Sequence, residues 1–469
     1  MKWHQRFFWL LLLFLPTQLG YHFWPQWAGV LGRRVDYLAP TIYLTDILIF
    51  LIIVAWVVPR VVQMVRGNPK SKFLNPKQIQ KFKIQILQTK YLWMMAGVVF
   101  AIVNIFVATN KPIAIYKWIK VSEFVMLGWY IVRTRPTLSA IITPLSVGIL
   151  YSSILAIIQF ILQHSVGGPL WWLGERTFGV DTPGIARYDF NFQLLTLNFQ
   201  LFGLRPHATF PHPNVLGGFL AVVLPLLIYN LQIYKSTNLQ MNDSLKKMLQ
   251  WGLGLTISIG VVALILTFSR SAVVVGAIAI ALTIARIRND ARPERGRREL
   301  RIMNSKRFVV TAVIGLLIIL LASYFMIHNS TEESVVVRGQ LNAAAIKLWQ
   351  TAPLFGVGLG NFLVRLPETL PTRTIYFLQP VHNIYLLILS ETGVVGFLPV
   401  LLLLVKIFLW TINNKQKARE SFVYCLLLTA LLVLGLVDHY LLTLQQGQLL
   451  LTVFTGLSLT LLQNNKITK

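Results

Sequence analysis

Residues 337–362 read VRGQLNAAAIKLWQTAPLFGVGLGNF, and residues 381–398 read VHNIYLLILSETGVVGFL. The second stretch decides the fold. Ile384–Thr392 is apolar but too short to cross the ~30 Å hydrocarbon core of a bilayer at 1.5 Å per helical residue. Gly393 follows directly and Gly396 three residues later, and glycine permits the backbone to bend there. The stretch therefore reads as a half-embedded helix or the first part of a kinked span, which keeps His382 and Asn383 near a membrane surface. Arg338 opens an apparent helix over 338–351. The cluster Gly356, Gly358 and Gly360 lacks the preceding strand of a nucleotide-binding fingerprint, so it reads as close backbone approach or a tight turn.

The rest of the chain fits a membrane setting. Of 469 residues, 55% are hydrophobic and only 13% charged, and the mean hydropathy is +0.64. Soluble domains do not have this composition. The single cysteine, Cys425, excludes a disulfide framework and a cysteine-based metal site.

Apolar runs predict a polytopic bundle of about twelve spans. They lie near 7–19, 43–64, 91–109, 116–132, 138–163, 214–234, 251–268, 271–286, 308–327, 393–410, 421–438 and 443–462. A signal peptide competes for the first run, yet that run ends in Pro16-Thr17-Gln18 rather than at a small-residue cleavage site. The predicted fold class is all-α, one integral-membrane domain over 1–469. It has two long extracytoplasmic loops with short helices, 164–213 and 328–381, and both termini are cytoplasmic.

The formal charge of +27 sits mostly in segments this topology places inside, above all 66–90 and 286–307. A positive-inside bias and attraction to anionic lipid account for it, and no nucleic-acid partner is expected. Lys120, Glu123 and Lys406 are the main charges within the spans.

Three arginines stand where an outer-face site would use them. Guanidinium stays charged and binds phosphate oxygens bidentately. Arg270 caps the tight hairpin between the seventh and eighth spans, Arg338 opens its helix, and Arg205 precedes the sixth span in LRPHATFPHPN. Each also fits an interfacial arginine bound to lipid headgroups. Arg176 and Arg187 are weaker candidates. His382 is a candidate proton acceptor, because an imidazole beside cations tends to stay neutral. Glu391 reads equally as an orienting partner for an arginine or as an interfacial carboxylate. The outer-loop acids are scattered without an Asp-x-Asp pair, so neither metal nor cofactor is expected. His207 and His212 read as loop-structuring residues. Trp171, Trp172, Tyr188 and Tyr376 fit either an interfacial belt or sugar stacking, and Asp438-His439 is an unexplained polar insertion.

Several motifs resemble the O-antigen ligase and O-antigen polymerase superfamily over roughly 200–400. They are Ser269-Arg270; the pattern Arg205, Thr209, Phe210, Pro213 and Asn214; the Arg338 helix running on to PLFGVGLGNF; and His382-Asn383 followed by Gly393-x-x-Gly396. The resemblance implies a membrane glycosyltransferase, independent of metal and nucleotide, that moves a glycan from a polyprenyl-pyrophosphate carrier to a glycan or lipid-glycan hydroxyl acceptor. The implied place is the outer face of a bacterial cytoplasmic membrane. It assigns pyrophosphate to Arg270 and Arg338 with Arg205 as a further contact, and makes His382 the base, with Asn383, Glu391, Gly393 and Gly396 in support. The alternative is a lipid-linked-oligosaccharide flippase or another polytopic transporter.

Overall fold

The computed structural model describes residues 1–66, 89–194, 197–236, 243–290, 333–370, 378–413 and 418–462. Among the described residues, six helices are long and apolar enough to cross a membrane: Leu44–Gln63, Leu138–Leu162, Pro213–Gln232, Lys246–Leu266, Arg270–Arg288 and Ile384–Trp410. They belong to α2 (Leu44–Arg66), α5 (Leu138–Leu162), α6 (Pro213–Ser236), α7 (Asp243–Leu266), α8 (Arg270–Asp290) and α11 (Ile384–Asn413). Between and around them lie α1 (Trp3–Leu13), α3 (Thr89–Val107), α4 (Lys111–Thr134), α9 (Glu333–Thr351), α10 (Phe362–Thr369), α12 (Ala418–Leu434), α13 (Tyr440–Thr443) and α14 (Gln445–Leu462).

Helix α6 is the axis. Most of its span is buried, and Leu216, Phe219, Leu220, Leu224 and Leu227 sit in one apolar core with residues from α1, α2, α4, α5, α7, α8, α12 and α14. The outer helices present the opposite character: Trp93, Val98, Ile102 and Phe106 on α3, and Leu402 and Leu403 on α11, are exposed. An apolar surface of this extent belongs against lipid tails, not water.

The structure differs from the expected elements in three places. The run at 7–19 forms only the 11-residue α1, which at 1.5 Å per residue reaches roughly half the hydrocarbon thickness. The fold is mostly helical, as expected, with three two-stranded antiparallel pairs added among the described residues. Two of them fold the excursion between α1 and α2: β1 (Gly20–His22) pairs with β4 (Thr41–Tyr43), and β2 (Gly29–Val30) with β3 (Arg33–Arg34). In segment 164–213, a 3-10 turn at Gly168–Leu173 precedes β5 (Arg187–Leu194), which pairs with β6 (Leu197–Leu204), Arg187 opposite Leu204. The alternating aromatic and polar residues of RYDFNFQL and LNFQLFGL are the period-2 signal of a strand. The run expected at 308–327 and most of the basic segments 66–90 and 286–307 lie outside the described residues.

The short apolar stretch starting at Ile384 does continue into a longer helix, broken at Gly393 (φ 63°, ψ −169°). A break inside a bilayer frees backbone groups that no water can satisfy. Residues 353–358 serve them: Val357 and Gly358 N–H donate to the Ser390 and Glu391 carbonyls (2.9 and 3.1 Å), while Pro353 and Leu354 carbonyls accept from Val394 and Val395 (2.9 and 3.1 Å). Asn104 of α3 clasps the junction, its Nδ2 donating to the Phe355 and Glu391 carbonyls and its Oδ1 accepting from Trp118 Nε1 and Leu359 N–H. A Cβ on Gly356 would stand 2.3 Å from the Glu391 carbonyl carbon, and one on Gly393 2.3 Å from Leu354. The glycine cluster is thus what lets two main chains touch.

A second apolar core seats Ala28, Val30, Val35 and Leu38 of the N-terminal excursion against Val337, Leu341, Ala344 and Leu348 of α9, Leu363 of α10 and Val381. This core brings residues 20–43, the Arg338 helix and the chain before His382 to one end of the bundle.

Candidate active site

His382 is fixed by the start of α11. Asn383 Oδ1 accepts from the N–H groups of Tyr385 and Leu386 (2.9 and 3.1 Å), an N-cap geometry. Ile384 N–H donates to the Gly435 carbonyl at the end of α12 (2.8 Å). The His382 ring meets His439 edge-on, centroids 4.9 Å apart, and its Nδ1 is buried without a hydrogen-bond partner among the described residues. One ligand atom from each of His382, Asp438 and His439 lies within 4.8 Å of the others.

Asp438 is the hub of this end. Its Oδ1 accepts from the His439 N–H (2.8 Å) and its Oδ2 from Asn214 Nδ2 (3.0 Å). Asn214 Oδ1 in turn accepts from Arg205 Nη2 (2.6 Å), and Arg205 Nε donates to the Thr267 carbonyl (2.7 Å). A continuous polar chain therefore runs from the α7–α8 hairpin through Arg205 and Asn214 to the carboxylate beside His382. Arg205 is placed by β6, whose ladder its own N–H extends by donating to the Ala186 carbonyl (3.0 Å).

Electrostatics tie the arginines to the same centre. Burial lowers the Arg205 pKa to about 10; the Asp438 charge opposes this, and Arg338 and Arg270 add to it. Burial, then the neighbouring His439, and also the Arg338 charge hold His382 well below the ordinary imidazole value, against the pull of Asp438. His439 is lowered in the same way by burial and Arg338. Burial opposes ionisation of Asp438, but His439, His382, His212 and Arg338 together outweigh it, so its carboxyl lies below the usual range. Arg338 is half-buried on α9 and Arg270 is exposed at the first position of α8.

A cavity of about 380 Å³ opens beside His382, lined by Asp438, His439, His212 and Asn214 on one side and by Gln18, Tyr37 and Tyr43 on the other. Arg205, Arg270 and Arg338 do not line it, whereas Arg176 and Arg34 do.

The structure thus brings His382, Arg205, Arg338 and, through Arg205, Arg270 into one electrostatic neighbourhood. It places Glu391 elsewhere: Glu391 Oε1 accepts from the Phe362 N–H at the start of α10 (3.2 Å), a helix N-terminus rather than an arginine. Gly393 and Gly396 shape the helix break, and a Cβ on Gly396 would press on Thr392 and Phe100. His207 is a loop-structuring residue, stacked on Phe178 with centroids 4.4 Å apart and lowered to about 3, mainly by burial. Arg187 Nη2 is engaged with the Val180 carbonyl. Tyr188 is buried and stacked on Phe268, while Trp171 and Trp172 stand exposed; Tyr376 lies outside the described residues. Sequence reasoning left Asp438 and His439 between a contact to the acceptor and a mere helix end, and left out His22, Tyr37 and the rest of the excursion. The available signal was a charged pair inside an apolar run.

A family model described as O-Antigen ligase matches residues 255–401, roughly a third of the 469. This segment of the chain is similar to the O-antigen ligase family, and it spans Arg270, Arg338, His382, Asn383, Glu391, Gly393 and Gly396. No curated protein matches the chain.

Proposed function

We propose that this chain, a membrane protein with the O-antigen ligase segment at its centre, is a glycosyltransferase. In this reading it moves a glycan from a polyprenyl-pyrophosphate carrier to a hydroxyl acceptor at the outer face of a bacterial cytoplasmic membrane. The observation that carries this is the hydrogen-bonded chain from Arg205 through Asn214 to Asp438 beside His382, with the Arg338 charge acting on Arg205, His382 and Asp438 and the Arg270 charge on Arg205.

The acceptor oxygen attacks the anomeric carbon, the bond from that carbon to the phosphate oxygen breaks, and the electron pair leaves with the polyprenyl pyrophosphate. Arginines fixed before the substrate arrives stabilise that leaving charge without reorganisation. The hydroxyl proton goes to the His382 imidazole. That imidazole is by itself a weak base, lowered by burial, His439 and Arg338. A diphosphate beside it brings negative charge, which raises an imidazole pKa; donor binding therefore readies the base. Nothing in this step needs a metal, and we assign none.

The topology belongs to the same reading. The ends of the helices that carry Arg270, Arg338 and His382 face outward, and the lipid tail of the donor lies against the apolar outer helices.

The test is to incubate the purified protein in lipid nanodiscs with a polyprenyl-pyrophosphate glycan and an acceptor, and to resolve the products on a gel. A ladder marks a polymerase and a single shifted acceptor a ligase. Arg270→Ala, Arg338→Ala and His382→Ala are each expected to abolish transfer while the protein still inserts. Full activity in the His382 variant overturns its role as base, and lipid-linked glycan crossing liposomes without a new glycosidic bond replaces the reading with a flippase.

A further inference from the structure

The cavity beside His382 is walled largely by residues outside the matched family segment. One wall is the N-terminal excursion, with Gln18, Tyr37 and Tyr43; the other is the turn from Asp438 to Gln446 that links α12 to α14. Five residues that line it each carry a buried side-chain atom with no hydrogen-bond partner among the described residues: Gln18 Nε2, His382 Nδ1, the Tyr440 hydroxyl (which lies against Gly218 of α6), Gln445 Oε1 and Gln446 Nε2. Tyr440, Gln445 and Gln446 are almost wholly buried, at 2%, 2% and 3% exposure. Buried polar groups are nearly always paired, so five unpaired ones around one space mark a place shaped for a hydrogen-bonding guest.

The chemistry of the guest follows from the walls. Amides and a phenol offer both donors and acceptors, the complement of a polyhydroxylated ring. The interior charge is Asp438, a carboxylate below its usual range, which repels an anionic sugar. Arg34, Arg176 and Asp36 are exposed at the rim. At about 380 Å³ the space is at the small end of ligand pockets and holds about one or two sugar rings, not a lipid-linked repeat unit. The arginines assigned to pyrophosphate stay out of it, and Asn214 stands between Arg205 and the cavity.

We propose that this cavity is a saccharide subsite for the acceptor, taking one neutral sugar residue and presenting its hydroxyl to His382. Tyr440, Gln446 and Gln18 bind its hydroxyl groups and Tyr37 supplies an aromatic wall. The proposal rests on the glycan-transfer reading but has its own readout.

The experiment uses the full-length protein in nanodiscs and saturation-transfer NMR with a panel of neutral hexose and N-acetylhexosamine disaccharides, each beside a uronic-acid counterpart. Neutral members are expected to give signals that Tyr440→Phe and Gln446→Leu weaken, and acidic members to give none. Among the described residues, the Tyr440 hydroxyl and Gln446 Nε2 make no hydrogen bond that these substitutions would remove, so thermal stability serves as the folding control. In steady-state transfer each variant is expected to raise the acceptor KM about five- to tenfold, with donor KM and kcat within twofold. A donor-side occupant raises the donor KM instead and overturns the acceptor assignment. No neutral signal sensitive to the two substitutions, or a preference for acidic sugars, overturns the subsite. Saccharide binding without transfer leaves the subsite standing and removes the proposed reaction; transfer with unchanged acceptor KM in both variants does the reverse.

Discussion

The break at Gly393 is testable through a residue that never meets substrate. Replacing Gly356 by Ala puts a Cβ 2.3 Å from the Glu391 carbonyl carbon, where ordinary contact begins at 3.4 Å, so the two chains must part by about 1.1 Å. The hydrogen bonds from Val357 to Ser390 and from Gly358 to Glu391, now 2.9 and 3.1 Å, lengthen to about 4 Å, beyond hydrogen-bond range. Two lost bonds at about 1 kcal/mol each, plus about 1–2 kcal/mol for an L side chain at φ 69°, total about 3–4 kcal/mol. At 1.4 kcal/mol per factor of ten, the Val357 and Gly358 amides should exchange with deuterium about a hundred- to a thousandfold faster. Hydrogen-exchange mass spectrometry in nanodiscs measures this. Because His382 stands just before the half-helix that ends at this break, a shift of about an ångström is expected to reduce transfer by about a hundredfold. Gly252→Ala is the control: a Cβ there meets nothing within 4 Å and should be neutral or slightly stabilising. Exchange within twofold of the parent at both amides, with full transfer, refutes the account of the glycine cluster.

Other expectations follow from single features. His207 is neutral in the fold and lowered to about 3, so the unfolded chain takes up a proton below pH 6.5 that the folded chain refuses. Stability is complete above pH 6.5 and falls between 6.5 and about 3, and His207→Phe should remove one proton from that dependence in pH-resolved thermal melts. Lys120 bridges Asp46 (2.6 Å) and Glu123 (2.8 Å) in a largely buried cluster; Lys120→Met strands two carboxylates and should destabilise by about 3–5 kcal/mol, read as loss of folded protein in detergent. Transfer should persist after exhaustive chelation. Activity lost to chelator and restored by zinc would instead assign a metal to His382, Asp438 and His439. Arg338→Gln removes one of the charges that lower His382, so the His382 imidazole should titrate at higher pH in an NMR pH series that needs no turnover; an unmoved titration separates the two residues.

Much of this was legible because hydrocarbon is an unforgiving background. An arginine, a histidine or a glycine cluster stands out in apolar sequence, so Arg270, Arg338, His382 and the bend at Gly393 were visible from composition and span length. Strand signals were weaker: β5 and β6 are aromatic as well as alternating, and the aromatic content read as an interfacial loop. The short strands of residues 20–43 leave almost no periodic pattern, and their place was decided by packing Val30, Val35 and Leu38 against α9. Asn104 and Gln159 were invisible for another reason. Each is a lone amide whose role exists only through distant partners; Gln159 joins Glu175 (2.8 Å) to the backbone at Ala208.

The wiring of Arg205 shows how such a site holds itself open for an anion. Its fork donates to a backbone carbonyl and an amide, Thr267 and Asn214, rather than to a carboxylate. Neutral partners fix a guanidinium in place and leave its charge uncancelled. The groups whose fields reach it are one carboxylate, Asp438, and two further guanidiniums, Arg338 and Arg270. Burial lowers it to about 10, still far enough above neutrality for it to stay protonated. The result is a preorganised Arg205 guanidinium in a partly desolvated setting, a charge that a diphosphate would satisfy. Asp438 then limits that charge and orders the chain from Arg205 to His382. Asp438→Asn should therefore raise donor affinity by strengthening the net field while lowering kcat, a split that a purely structural carboxylate would not produce.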